Sequence, residues 1–224
     1  MAMQAQSITL DSPHIKNVTL TRFDQAGHIS LAPDGSWDIV FIRHEDHFFA
    51  VRTGLTTKPV VVEHSPGDEI LAFSFNASSF MPAFSAPALR NEGVDLTKIG
   101  GGRFWLGSEL YQIPTLETAQ NFAEALVQKG AVKSNDLVAS VLSGTPQAMS
   151  ERTLQRHFLK TTGLTYKAFE QIMRAQKAVQ MLQTGQPALQ VAFALGYSDQ
   201  SHLINSLKLI TGQTPKQISK ARAG

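Results

Sequence analysis

The 224-residue chain contains no cysteine. A disulfide scaffold, a thiolate zinc site, an iron–sulfur centre and cysteine nucleophilic catalysis are therefore excluded. The same absence fits a reducing compartment, and the expected location is the cytoplasm. Met1 to Leu10 have neither a basic start nor an apolar core, so no secretory signal is read there. No apolar run approaches the roughly 18 residues of a membrane span, and no membrane partner is expected. No internal repeat of solenoid length is found. Charged residues are only 17% and apolar ones 42%, the balance of a globular protein.

The charge present is unevenly placed. From Ala131 onward 11 lysines and arginines stand against 4 acids, leaving 9 basic and 14 acidic residues for the rest. A basic half suits a polyanion such as DNA, where each phosphate contact releases counterions. A merely solvated basic face fits the charge equally well.

Up to about Phe84 the pattern is strands and turns. Trp37–Ile42 and His47–Val51 are short, β-branched and aromatic, separated by Arg43-His44-Glu45-Asp46. Pro33-Asp34-Gly35-Ser36 has turn chemistry. Lys58–Glu63 and Glu69–Phe75 read as further strands, and the spacing suggests an antiparallel sandwich or barrel. Trp37, Phe41, Phe73 and Phe75 are candidates to line an apolar ligand pocket, with ordinary core as the plainer reading. Lys98–Arg103 is glycine-rich but lacks the strand-then-helix setting of a phosphate loop, and reads as a flexible loop. His44 and His47, three apart in extended chain, would face opposite sides, a poor geometry for one ion. No metal or other cofactor is expected.

From Pro114 the period becomes helical. Leu116, Ala119, Phe122, Ala123, Leu126 and Val127 predict an amphipathic helix over Thr115–Lys129, ended by Gly130. It reads as a connector, as a dimerisation helix or as packing against its own domain. Ser150 is a candidate cap for the next helix, in which Leu154 and Phe158 point inward and Arg152, Gln155, Arg156 and Lys160 outward. A long helix over Tyr166–Leu182 is predicted to bury Phe169, Ile172, Met173, Ala175, Ala178, Val179 and Leu182. After Pro187, small Ala192, a turn at Gly196, a cap at Ser198 and inward Leu203, Leu207 and Ile210 give the anatomy of a helix-turn-helix.

With these residues in place, Ser150–Ile218 resembles the DNA-binding domain of the AraC/XylS family of bacterial regulators. The likeness runs through Ser150-Glu151-Arg152-Thr153-Leu154-Gln155-Arg156-His157-Phe158, then Gly163, Arg174, Ala178 and Ala192. It continues through Gly196-Tyr197-Ser198-Asp199-Gln200-Ser201-His202-Leu203 and Gly212-Gln213-Thr214-Pro215. Pro33–Phe41 and Phe75–Pro82 resemble, less specifically, the small cupin-like domains of some members.

The resemblance implies an α+β chain: a β-rich sensor or dimerisation domain over residues 1–113, a connector helix over 114–131 and a DNA-binding domain over 132–224. That last domain would hold two helix-turn-helix units joined by the long helix. By position match, Arg152, Gln155 and Arg156 would reach bases from the first unit, and Gln200, Ser201 and Asn205 from the second. Lys160, Lys167 and Lys208 would hold phosphates. The implied partners are double-stranded DNA, RNA polymerase, a small-molecule effector and a second copy of the chain, and no enzymatic activity is implied.

Departures from the family pattern place Gly144 where alanine is usual, moving the first helix toward Asp136–Leu142. They also place Asn205 where arginine, and Leu207 where phenylalanine, is frequent. Three alternative functions stand beside this one. A cupin-type metalloenzyme with a DNA-binding tail lacks the His-x-His arrangement. An alkyl-transfer repair regulator would need acceptor cysteines. An architectural protein would bind DNA without sequence preference.

Overall fold

The computed structural model describes residues 3–45, 47–99, 101–145 and 150–220. Its first half is β-rich: β1 (Met3–Ile8), β2 (Ile15–Phe23), β3 (Gly27–Leu31), β4 (Trp37–His44), β5 (His47–Thr53), β6 (Val60–His64) and β7 (Glu69–Phe75). Shorter strands follow: β8 (Ser79–Phe80), β9 (Gly93–Asp95), β10 (Lys98–Ile99), β11 (Arg103–Leu106) and β12 (Glu109–Gln112). Six strands form one antiparallel sheet in the order β1-β2-β7-β4-β5-β9, while β3 and β6 pair as a separate ribbon. The second half is helical: α1 (Ala119–Gln128), β13 (Lys133–Ser134), α2 (Asp136–Leu142), α3 (Glu151–Thr162), α4 (Tyr166–Gln183), α5 (Ala188–Ala194), α6 (Gln200–Thr211) and α7 (Pro215–Lys220). The expected α+β class is what the chain adopts. No helix among the described residues is long and apolar enough to cross a membrane.

Period-two alternation decides which face of the sheet is filled. Trp37, Ile39 and Phe41 on β4 pair across the ladder with Phe75, Phe73 and Leu71 on β7, and all six are buried. Against this face lies α1, whose Phe122 meets Phe41, Phe73 and Tyr111 edge-on with centroids 4.9–5.9 Å apart. Such edge contacts suit the ring quadrupole, and each fully buried phenylalanine contributes about 1.5–3 kcal/mol. The predicted connector helix thus starts later, at Ala119, and connects from within the β-rich core. After it, β13 pairs with β8, so the chain is fastened to the strands before it enters α2.

Three sequence expectations change. Lys98, Ile99 and Arg103 belong to paired strands rather than to a free loop, with Lys98 opposite Phe104 and Ile99 opposite Arg103. Arg43 and His44 belong to β4, and the tight turn sets His44 directly opposite His47 on β5. The two histidines still part: His44 pairs with Asp68 at 2.6 Å and His47 stacks along Phe49. Met173 is 42% exposed rather than buried, because its part of α4 faces the β4 approach turn instead of a helix.

Candidate nucleic-acid interface

The first helix-turn-helix unit is α2 and α3. Asn135 caps α2, its Oδ1 accepting from Val138 N at 3.3 Å, and its Nδ2 donates to Thr161 Oγ1 of α3 at 2.8 Å. One side chain therefore starts the first helix and pins the second to it. The first helix occupies Asp136–Leu142, where the Gly144 departure moves it; Pro146 to Met149 lie outside the described residues. Ser150 Oγ accepts from Thr153 N at 3.3 Å and opens α3, as its residue type suggests. Phe158 is fully buried, edge-on to Tyr166 and Phe169 of α4. Gly163 ends α3 at φ 78°, packed so closely that a Cβ there would run into the Ala86 carbonyl oxygen of the β-rich half.

The second unit is α5 and α6, crossing at fully buried Val191 and Ala192. The cap of α6 is Asp199, not Ser198: Asp199 Oδ1 accepts from His202 N at 2.7 Å. That backbone bond holds the Asp199 carboxyl below its ordinary range. Ser198 Oγ instead lies 3.2 Å from His202 Nδ1. A carboxylate at a helix start also suits the positive end of the dipole.

The two units repeat at a constant offset of 49 residues. Caps Ser150 and Asp199, inward Leu154 and Leu203, buried Phe158 and Leu207, and terminal Gly163 and Gly212 all correspond. Thr162 Oγ1 donates to Phe158 O at 2.8 Å, and Thr211 Oγ1 to Leu207 O at 2.7 Å. Thr165 and Thr214 then open α4 and α7 in the same way. The correspondence shows in Thr162-Gly163-Leu164-Thr165 and Thr211-Gly212-Gln213-Thr214, a signal that sequence reasoning passed over. It places Arg156 and Asn205 at one position of the two units, Arg152 with Ser201, and Gln155 with Ile204.

All six side chains expected to read bases are exposed, three on α3 and three on α6. Gln155 and Asn205 line opposite walls of a groove of about 1100 Å³ floored by α4. Lys167 and Arg174 rise from that floor, but so does Glu170, and Glu151 adds a second acid. Gln155 Nε2 donates to Glu151 Oε1 at 3.0 Å, so it must release that partner to meet a base. Lys160 and Lys208 are exposed in the last turns of α3 and α6. Ile204 is half-buried, whereas Gln200, Ser201 and Asn205 of the second helix are exposed.

The expected pocket residues Trp37, Phe41, Phe73 and Phe75 are each at most 2% exposed. Trp37 stacks on Phe75 at 4.1 Å, so this face is filled core. Phe41 borders a surface pocket of about 600 Å³ rimmed by Arg22, Arg43 and Glu69. Among the described residues no three histidine or carboxylate side chains converge on a point that would hold a metal ion.

Residues 147–221 match the family model of a helix-turn-helix domain. The HTH-type transcriptional regulator NimR of Escherichia coli (strain K12) is 40% identical over 68 residues, 30% of this chain and 25% of that protein. The HTH-type transcriptional regulator RipA of Corynebacterium diphtheriae is 29% identical over 111 residues, 50% of this chain and 32% of that protein. The chain thus spans about a quarter to a third of the length of these relatives. Over its whole length it aligns with a crystal structure of ToxT from Vibrio cholerae O395, covering 99% of that chain at 10% identity and a TM-score of 0.44. That overlap is too loose to carry weight. Fold and match together define a helix-turn-helix domain in the C-terminal part of the chain. In that domain two helix-turn-helix units, α2–α3 and α5–α6, are joined by the single helix α4.

Proposed function

We propose that the chain is a sequence-specific DNA-binding transcription regulator acting in the cytoplasm, with α3 and α6 entering adjacent major grooves. A single observation carries this reading. Two equivalent units, locked to one helix, each expose a polar recognition face and bury the opposite one. Arginine suits the O6/N7 pair of guanine, and glutamine or asparagine suits adenine. Arg152, Gln155 and Arg156 supply the richer set, so the first unit reads sequence and the second, with Gln200, Ser201 and Asn205, reads less. Lys160, Lys167 and Lys208 hold phosphates. In this assignment residues 132–224 bind DNA, while residues 1–113 with the 114–131 helix sense an effector and pair with a second copy. RNA polymerase is the partner through which bound DNA is read out.

The test is competition between a selected duplex and random duplex for the full chain. Specific binding is expected to be at least about 10³ tighter. Equal affinity for both duplexes would replace the regulator with an architectural protein.

A further inference from the structure

The face of the sheet opposite the aromatic core is open. There Asp38, Val40 and Ile42 of β4 and Ile70, Ala72 and Ser74 of β7 look toward the β3–β6 ribbon, which presents Ile29, Leu31, Val60 and Val62. Between them lies a pocket of about 520 Å³. Its walls stay apart because the central strand carries small Ala72 and Ser74 there, where its other face carries Phe73 and Phe75. Protein interiors rarely leave voids larger than a water molecule, and an apolar concavity of several hundred Å³ with a few placed polar groups is the form ligand sites take.

One end of the pocket is anionic. Asp38 accepts from Ser74 Oγ at 2.6 Å and, more loosely, from Thr53 Oγ1 at 3.4 Å. Asp34 accepts from Ser36 N at 3.0 Å and pairs with exposed Lys16 at 2.9 Å. Among the described residues no cation pairs with Asp38. Arg52, whose charge acts on it through the sheet, is on the aromatic face, stacked 4.5 Å over Trp37. Two carboxylates with one neutralising lysine, under an aliphatic chamber, favour a ligand with a positive head and an apolar body.

The same turn that forms the anionic end touches the DNA-binding half. Asp34 and Ser36 line the pocket, while the carbonyl of buried Pro33 accepts a hydrogen bond from Gln176 Nε2 of α4. Gly35 between them, at φ 76°, lies where a Cβ would meet Met173 Sδ at 2.8 Å and Phe169 at 3.0 Å. A ligand that displaces Asp34 or Ser36 must therefore shift the seat of α4, the helix that fixes the spacing of both units.

We propose that this pocket binds a small amphipathic amine, its ammonium at Asp38 and its apolar body between β7 and the β3–β6 ribbon, and that the Pro33–Ser36 turn transmits its occupancy to α4. The second half rests on the regulator reading; the first does not.

The test is calorimetric titration of the full chain with n-octylamine, n-octanol and n-octanoate near pH 7.5. One octylamine is expected to bind per chain, at least about tenfold tighter than octanol because a charge-assisted hydrogen bond replaces a neutral one; octanoate is expected not to bind. Asp38→Asn should bring amine and alcohol within about twofold, the charge at the head site having gone. Ala72→Leu, or Thr21→Leu on the neighbouring wall if the first does not fold, should abolish both. Octanoate binding as tightly as octylamine, or amine binding unchanged in the filled variant, would overturn the site.

Transmission is read separately, as the effect of saturating octylamine on affinity for a selected duplex. A shift in the wild type that vanishes in Gln176→Ala, with amine binding retained, supports it. No shift in the wild type overturns transmission alone. Absence of any DNA binding overturns the regulator reading and transmission together, while the calorimetry still decides the pocket.

Discussion

Asp38 makes a quantitative prediction about stability. Burial, aided by the like charge of Asp34 and opposed by the Ser74 hydrogen bond, raises its pKa from 3.8 to about 6. A carboxyl raised on folding binds its proton more tightly in the native state. Its contribution is therefore fully present below pH 3.8 and is lost as pH rises through about 6. The displacement corresponds to about 3 kcal/mol, on the order of a third of a typical domain's stability. Asn keeps the acceptor for Ser74 and carries no charge to bury. Asp38→Asn should thus be about 3 kcal/mol more stable than wild type at pH 7.5, and the gap should close as pH falls toward 4. Urea unfolding across that range measures both. Other acids move oppositely: at Glu69 hydrogen bonds from Arg22 and Arg43 outweigh burial and lower the pKa, but they are common to both proteins and cancel in the difference. A variant no more stable than wild type at pH 7.5, or a gap that does not depend on pH, would refute the reasoning.

Three further perturbations test other joints of the fold. Gly163→Ala should cost about 2–4 kcal/mol in urea unfolding, from left-handed backbone and a clash with the Ala86 carbonyl, whereas Gly212→Ala, whose Cβ meets Pro59 at 3.5 Å, should cost about 1–2. Equal costs would mean that α3 is not docked on the β-rich half. Phe122→Ala should cost about 3–5 kcal/mol by the same measurement if α1 belongs to the strand core, and under 1 if it is a free connector. Arg156→Ala should weaken binding to a selected duplex by about 1–3 kcal/mol and relax preference at one base pair, whereas Asn205→Ala should change site preference less; an unchanged preference profile for Arg156→Ala would remove it from the reading set.

The helical half was legible because its apolar period is regular and its ends carry their own chemistry. Ser150, Gly163 and Gly196 do what their residue types suggest. Ser198 and Asp199 both offer an acceptor, and the turn geometry selects Asp199, which reaches His202 N. In the strand half, β4, β5 and β7 announce themselves by β-branched and aromatic runs between turns. β2 hides because a bulge between Ile15 and Asn17 resets its alternation. β1 hides because it is an edge strand, exposed up to Ser7, with polar and apolar residues in equal number. Strands β8 to β13 are two to four residues long, too short for any period. The aromatic rings mark the filled face of the sheet, not the pocket. The informative residues were the small and acidic ones that alternate with them.

Two docked units are expected to read one DNA site with unequal contributions. Selection of bound sequences from a random duplex pool by the full chain tests it most directly. The expected site has two blocks on one face of the duplex, their centres about one turn or roughly 34–36 Å apart, with the stronger base preference in the block under α3. A pool that returns no enriched sequence, or a single block shorter than one turn, would contradict it.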